Sequence, residues 1–371
     1  MTLPLDRLNQ SHRRILDTLL GTGASSRAEI ATLTGLTRPA ISQFAQELID
    51  FGLITEEPAR QGLRGQPARP LAICPTAAFS AGVNFSHSYL ELMVLDLAGR
   101  SIGSARAAIA KPGPAEIGQS SRALLTNLMN KHGLSPDYLL GVGFSLPGDF
   151  YSDGSLMPHP WFPELRRPDF SASLATALGF PVVLDNDGRA SAIGERVIGI
   201  GRQYRTFMLV HLGHGVGGGL IIDGKPYRGA QGNAGILGQY FPYGAPRPSG
   251  QDLLETLQRA GFAIDDFDSL EALPEKASPV LEAWITRAAD QLAGVLAMTG
   301  RFFGPEAIII AGRLPPAITN AIAKAINLRE ALPPQDDLPL PYLSASTLGS
   351  AAGMAGAAAL PIFQSLLPSS A

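Results

Sequence analysis

The chain has 371 residues, 45% hydrophobic and 16% charged, with a net charge of −3 and a pI near 6.1. This is globular material, long enough for two or three domains with cores of their own, and its mild acidity restricts any nucleic-acid contact to a local patch. No run of eighteen apolar residues is present, so no membrane span is expected, and an N-terminus without an apolar leader predicts a cytoplasmic protein. The single cysteine, Cys74, excludes an intramolecular disulfide and a multi-cysteine metal site, and it reads as a small buried apolar residue.

The first elements are helical. Arg13 to Leu20, apolar at Ile15, Leu16, Leu19 and Leu20, predicts a first helix. Ser26 caps a second helix from Arg27 to Leu33, whose apolar positions are Ala28, Ile30, Ala31 and Leu33. Thr34-Gly35-Leu36 makes a tight turn. Thr37 then caps a third helix with Pro39 in its first turn, where a missing N–H costs nothing. Ile41, Phe44, Ala45 and Leu48 form the buried face of this helix, while Ser42, Gln43 and Gln46 stand opposite with Thr37 and Arg38 at the start. Small and amide side chains on the free face are the kind that reach base edges in a major groove. After Gly52-Leu53-Ile54, the segment from Arg60 to Pro70 carries Arg60, Arg64 and Arg69 and no acid. Its glycines and prolines prevent regular structure, and its charge suits a minor groove or phosphates. Helix, turn, helix and basic wing together predict a winged helix-turn-helix over residues 1–75, with double-stranded DNA as partner.

From about residue 79 the pattern changes to strands. Phe79 to Phe85 and Tyr89 to Leu97 read as a hairpin, Ile102 to Ile109 as a third strand, Glu116 to Asn130 as a helix, and Leu139 to Gly148 as a buried strand ending in a Gly/Pro loop. A second cycle follows: a strand at Pro181 to Leu184, a helix at Arg189 to Val197, and a glycine-rich hairpin from Phe207 to Ile222. A helix from Pro279 to Phe303, a strand from Ala307 to Ala311 and a Gly/Ala-rich helix from Leu348 to Leu360 close the chain. Two such β-hairpin-plus-helix lobes predict an α/β plan over residues 76–371, with a small ligand in an interlobe cleft.

Four segments in this order behind a winged helix carry a resemblance. They are Gly141-Val-Gly-Phe-Ser-Leu-Pro-Gly148, Leu184-Asp-Asn-Asp-Gly-Arg-Ala-Ser-Ala-Ile-Gly-Glu195, Leu212-Gly-His-Gly-Val-Gly-Gly-Gly-Leu220 and Tyr227-Arg-Gly-Ala-Gln-Gly-Asn-Ala-Gly-Ile-Leu-Gly238. Together they resemble the ROK family of repressors and sugar kinases. The resemblance implies a two-lobed, actin-like (ribonuclease H-like) sugar-kinase fold fused to the winged helix, and a homodimeric, sugar-responsive transcriptional regulator.

The chain departs from the family's kinase pattern in three places. Where kinases carry D-x-G-G-T for phosphate and metal, the sequence is Asn84-Phe-Ser-His-Ser88, without the carboxylate or either glycine. His214 interrupts the second phosphate loop, and Ala311 and Arg313 stand in a turn that the family fills with glycine. Kinase chemistry is therefore not expected, and a ROK-type sugar kinase with a fused DNA-binding domain is the alternative; a DNA-binding protein that answers to no ligand is a third reading. On the sugar side, Asn186-Asp187 matches the family's N-D pair, whose Asn holds sugar hydroxyls and whose Asp serves kinases as general base. The same pair also suits a helix cap. His159 falls near the family's sugar-contacting Asn, and Trp161 either stacks on a pyranose face or anchors its loop. The family's G-E-x-G-H reads Gly235-Ile-Leu-Gly-Gln239, leaving Gln239 as a contact in place of a zinc-binding His. With the adjoining cysteines also missing, neither structural zinc nor any other cofactor is expected, and the effector is expected beside His159, Trp161, Asn186, Asp187 and Gln239.

Overall fold

A computed structural model describes residues 4–57, 69–85, 89–110, 113–151, 156–158, 162–167, 169–242, 244–333 and 337–368. The winged-helix segment comprises α1 (Gln10–Thr22), α2 (Arg27–Thr34), α3 (Arg38–Asp50), β1 (Ile54–Glu56) and β2 (Leu71–Ile73). Asn9 and Ser26 start α1 and α2 with reciprocal capping boxes through His12 and Glu29, and Gly35, at φ 69°, closes α2 in the left-handed conformation. Ile15, Leu16, Leu19, Ile30, Ile41, Ala45 and Leu48 are the buried faces of the three helices. β1 and β2 pair antiparallel with Ile54 opposite Ile73, and Ser25 bridges to Leu71, which docks the wing on the helices.

At this level the expected burial of Phe44 and Cys74 is corrected, and two of the apolar positions of α2 face outward. Leu33 is 59% exposed, because α2 turns its last apolar side chain outward and buries Thr34, whose hydroxyl bonds the Ile30 carbonyl. Ala28 is likewise exposed, and Phe44 is half-buried, edge-on to His12 at 5.1 Å. Cys74 is half-buried rather than buried, 3.6 Å from the Thr76 hydroxyl.

The remainder runs β3 (Phe79–Phe85), β4 (Tyr89–Asp96), β5 (Ser101–Ala108), α4 (Pro114–His132), β6 (Leu139–Leu146), β7 (Gly148–Phe150), β8 (Leu156–Pro158), α5 (Phe170–Leu178), β9 (Val182–Asn186) and α6 (Asp187–Val197). Then follow β10 (Phe207–Leu212), β11 (Val216–Ile222), β12 (Lys225–Pro226), α7 (Gly250–Arg259), α8 (Ser278–Phe303), β13 (Ala307–Gly312), α9 (Pro316–Ala325), β14 (Tyr342–Ala345) and α10 (Ala352–Leu366). The chain divides into two compact units, one of Met1–Leu146, Pro160–Asp185 and Ala357–Ala371, the other of Pro147–His159 and Asn186–Gly356.

Each unit holds a five-stranded mixed sheet, ordered β5-β4-β3-β6-β9 in the first and β12-β11-β10-β13-β14 in the second. The two orders are the same when the strands of each sheet are numbered from its own hairpin, so the plan is used twice. In both, an antiparallel hairpin lies beside a parallel strand: β3 pairs with β4 and β6, β10 with β11 and β13. In the first unit, α10 lies so close to β6 that a Cβ on Gly143 would stand 1.9 Å from the Ala357 carbonyl oxygen, and the Ser80 hydroxyl donates to the Ala358 carbonyl at 2.6 Å. The Arg13 guanidinium of α1 donates to the Ser365 carbonyl at 2.6 Å, at the end of α10 where helix carbonyls lack partners. In the second unit, α7, α8 and α9 cover the sheet around Leu253, Leu257, Trp284, Leu292, Leu296 and Ile322. No helix among the described residues is long and apolar enough to cross a membrane.

Candidate DNA-reading face and effector site

Helix α3 presents its predicted face outward. Thr37 accepts from the Ala40 N–H at 3.4 Å, and Thr37, Arg38, Ser42, Gln43 and Gln46 are all exposed. The polar row is ordered by its own helix: Ser42 Oγ donates to the Arg38 carbonyl at 3.1 Å, Gln43 Nε2 to Glu47 Oε1 at 3.0 Å, and Gln46 Nε2 to Asp50 Oδ1 at 2.9 Å. Glu47 also faces the buried His12, Nε2 to Oε2 2.9 Å, which ties α3 to α1. On the wing, Arg69 is 71% exposed and lies 3.7 Å from Glu56, which receives a 2.7 Å bond from Arg27. That Arg27 bond, with the two arginine charges, holds the Glu56 carboxyl below its ordinary range. Arg60 and Arg64 lie outside the described residues, as do His159 and Trp161.

The second unit assembles a polar site from four segments. Asn186 is buried at the N-terminus of α6, where its Oδ1 caps the helix by accepting from the Arg189 N–H at 2.7 Å. Asp187, with its side chain 39% exposed, accepts from the Gly188 N–H at 2.8 Å and stands 4.0 Å from His211 Nε2. His211, buried on β10, meets the Ser191 hydroxyl at its Nδ1, 3.0 Å away. Burial pushes His211 below its ordinary pKa against the pull of Asp187, with Arg313 adding to the depression, so the imidazole is neutral at pH 7.

Asp149, on β7 directly after the Pro147-Gly148 turn, completes the group. Its carboxylate accepts from the Asn186 side chain and feels the charges of Asp187 and Arg189. Burial raises its pKa; the Asn186 bond and Arg189 work against the rise, and Asp187 adds to it. Its strand is clamped by Asn233: the Phe150 N–H donates to Asn233 Oδ1 at 3.1 Å, and Asn233 Nδ2 donates to the Phe150 carbonyl at 2.5 Å. Arg189, 1% exposed, donates to the Gly232 carbonyl at 2.7 Å and lies over the Phe150 ring at 5.6 Å. Gln239 sits exposed on a short 3-10 turn, Gly238–Tyr240, with Ile236 half-buried nearby in sequence.

Sequence reasoning missed Asp149, Arg189 and Asn233. Asp149 had a signal, an acid placed right after the Pro-Gly turn that ends one of the four resembling segments; Arg189 had another, a cation two residues after the Asn186-Asp187 pair. The glycine run also has a local cause. A Cβ on Gly218 would meet the Gly235 carbonyl oxygen at 2.3 Å, and one on Gly219 the Gly188 carbonyl oxygen at 2.9 Å, so these glycines let α6 and the 229–238 loop approach β11. Gly215, at the tip, has nothing within 4 Å.

The donors for the family's zinc are unsuitable. Gln239 replaces imidazole, the 244–252 stretch has no Cys or His, and its one acid, Asp252, is already engaged by Trp284 Nε1 at 2.7 Å and by Arg287. Among the described residues no group of three or more His, Cys, Asp or Glu side chains is placed to hold a metal.

Residues 81–243 match the family model described as the ROK family, and residues 8–55 match that of a winged helix-turn-helix DNA-binding domain. The uncharacterised protein y4fQ of Sinorhizobium fredii (strain NBRC 101917 / NGR234) is 36% identical over 97% of this chain and 92% of its own. The xylose repressor of Bacillus subtilis (strain 168) is 25% identical over 62% of this chain, and the match spans only 60% of that repressor's length. Among solved structures, a ROK family transcriptional regulator described as a homolog of the Escherichia coli MLC protein superposes with a TM-score of 0.69, covering 96% of this chain and 97% of its own at 21% identity. The ROK hexokinase of Thermus thermophilus gives 0.56 over 76% of this chain and 97% of its own, at 22% identity. The fold is thus mixed α/β, a winged helix joined to an actin-like sugar-kinase fold.

Proposed function

Since the chain belongs to the ROK family and carries a winged helix-turn-helix DNA-binding segment, we propose that it is a sequence-specific transcriptional repressor controlled by a sugar or sugar-like effector. Residues 1–75 read DNA and residues 76–371 bind the effector and dimerise. One recognition helix reads one half-site, so two copies meet a roughly palindromic operator. Thr37, Arg38, Ser42, Gln43 and Gln46 face the major groove; Arg60, Arg64 and Arg69 lie along phosphates or a minor groove. The effector binds beside Asn186 and Asp187, with His159, Trp161 and Gln239 in reach of it.

The observation that carries this reading is the pairing of an exposed, properly capped polar row on α3 with a ROK region that keeps Asp187 available but has, in sequence, none of the kinase's phosphate residues at Asn84 to Ser88. Asp187 supplies a strong acceptor to a hydroxyl whether or not a proton is later taken. The name of the Bacillus subtilis relative makes D-xylose the first effector to try. Duplexes selected by the chain from random DNA, then titrated with and without D-xylose, other pentoses, hexoses and polyols, test the reading; release by one of them supports it, and selection of no sequence refutes it. The retained Asp187 favours a second reading, a sugar kinase with a fused DNA-binding domain. ATP-dependent formation of a sugar phosphate, lost in Asp187→Ala, would establish that one instead.

A further inference from the structure

The N-terminus of α6 distributes its polar atoms in a way that changes which side chain meets the effector. Asn186 is 3% exposed, and its Oδ1 is spent on the Arg189 N–H at 2.7 Å. The side-chain bond that it gives to the Asp149 carboxylate must therefore come from Nδ2, the only donor of that amide. Both ends of Asn186 are thus turned to the protein. Asp149 lies near enough to Asp187 for their charges to interact, and its strand is fixed by the two-way Asn233–Phe150 clamp. Arg189, the cation beside Asp149, is held by the Gly232 carbonyl and the Phe150 ring. Asp187 faces, besides Asp149, the neutral His211, itself bonded to Ser191 and facing Arg313.

We propose that Asp149, positioned by Asn186, is an effector-binding residue, and that Asp149 and Asp187 together accept hydroxyl hydrogens from a neutral polyhydroxylated ligand. Asn186 is then a positioning residue that never touches the ligand. The inference rests on the effector reading above and assigns its chemistry to residues. An Ile at 236 and a Gln at 239 leave the two aspartates as the carboxyl acceptors among the residues assigned to this site, and a carboxylate bonds a hydroxyl about twice as strongly as a neutral acceptor does. A hydroxyl donor also satisfies two like charges without requiring either carboxylate to be protonated.

The test uses the full chain and a named panel: D-xylose, D-glucose, N-acetyl-D-mannosamine and xylitol. The panel member that most raises the melting temperature is taken to calorimetry with wild type, Asp149→Asn, Asp187→Asn and Asn186→Ser. Ser keeps a capping oxygen and removes the amide donor, so α6 retains its start. Asp149→Asn and Asp187→Asn are expected to weaken binding about 10–100-fold, and Asn186→Ser about 3-fold or less. Wild-type affinity is expected to fall as pH drops through the raised Asp149 pKa, and Asp149→Asn to lose that limb of the profile. A loss in Asn186→Ser equal to that in Asp149→Asn, or an Asp149→Asn variant that binds as wild type, overturns the assignment. If no panel member stabilises the wild type, the sugar-effector reading fails and the ligand half of the assignment fails with it. Carbon-13 carboxyl titration of the ligand-free protein then judges the positioning half by itself: Asn186→Ser must move the Asp149 midpoint upward, and an unmoved midpoint overturns it.

Discussion

Gln43 Nε2 donates to Glu47 Oε1 at 3.0 Å, one turn along the exposed face of α3. In the absence of DNA the amide that is proposed to read a base is therefore held by a carboxylate on its own helix. Binding must exchange that bond for one to a base edge, and must bring Glu47 toward a polyanion. Glu47→Gln is expected to raise affinity for all duplexes, since it removes a negative charge near the phosphates; its one amide oxygen still accepts from His12 Nε2, and Gln43 must turn its own oxygen toward the new amide. Gln43→Ala is expected to cost about 1–3 kcal/mol of discrimination at one base-pair position and little on random DNA. Fluorescence anisotropy on single-position variants of a selected site reads both effects; equal loss at every position would remove Gln43 from base reading.

The glycines of the β10–β11 hairpin separate packing from phosphate binding. Gly218→Ala places a methyl 2.3 Å from the Gly235 carbonyl oxygen, a backbone atom with no rotamer to yield, and is expected to destabilise the second unit by about 1–3 kcal/mol. Gly215→Ala meets nothing within 4 Å and is expected to stay within about 0.5 kcal/mol of wild type. Thermal melts of the two variants check the contrast. Identical behaviour would mean that the approach of α6 and the 229–238 loop does not constrain the hairpin.

Asp149 gives a stability prediction with a definite sign. Its folded pKa is raised, so the folded state binds more protons than the unfolded one between the two values. The contribution is favourable below the unfolded pKa and is lost as pH rises through the folded one. At pH 7 the ionised carboxylate is a net cost, and Asp149→Asn is expected to raise the melting temperature there while it weakens the effector response. A melting temperature that falls at pH 7 and is unchanged at pH 4 contradicts the assigned environment.

Asn233 is expected to matter more for stability than its place in a loop suggests. Asn233→Ala removes both bonds to the Phe150 backbone and leaves a half-buried N–H and carbonyl to water, a loss of about 1–3 kcal/mol. Denaturant unfolding measures it, and a loss below about 0.5 kcal/mol would show that the clamp is dispensable.

The elements were legible wherever one periodicity held. Helices α1 to α3 and the hairpin β10–β11 were placed to within a few residues, and their caps at Ser26 and Thr37 were readable because short polar side chains before an apolar repeat have one main use. The last helix was placed early, at 348–360 against 352–366, because Gly349 and Gly353 blur its start and Pro361 lies inside it. The outward turn of Leu33 was not legible, because α2 is too short for periodicity to say which of Leu33 and Thr34 turns inward. At the site, Asn186 and Asp187 were found as a pair, but the use of both ends of the Asn186 amide depends on Asp149, 37 positions earlier on another strand. Pattern reading follows neighbours in sequence, and hydrogen bonds of that separation leave no periodic trace.

The central claim is that sugar and DNA binding are coupled in one chain, and linkage gives the most direct measurement. Affinity for a selected operator is measured with and without saturating sugar, using the panel member that binds, and affinity for that sugar is measured with and without the operator. The account predicts a change of about 5–150-fold in the first pair, the same factor in the second, and its loss in Asp187→Ala with sugar-free DNA binding nearly intact. Operator affinity that is unchanged at saturating sugar, with ATP-dependent phosphorylation of that sugar, would contradict it.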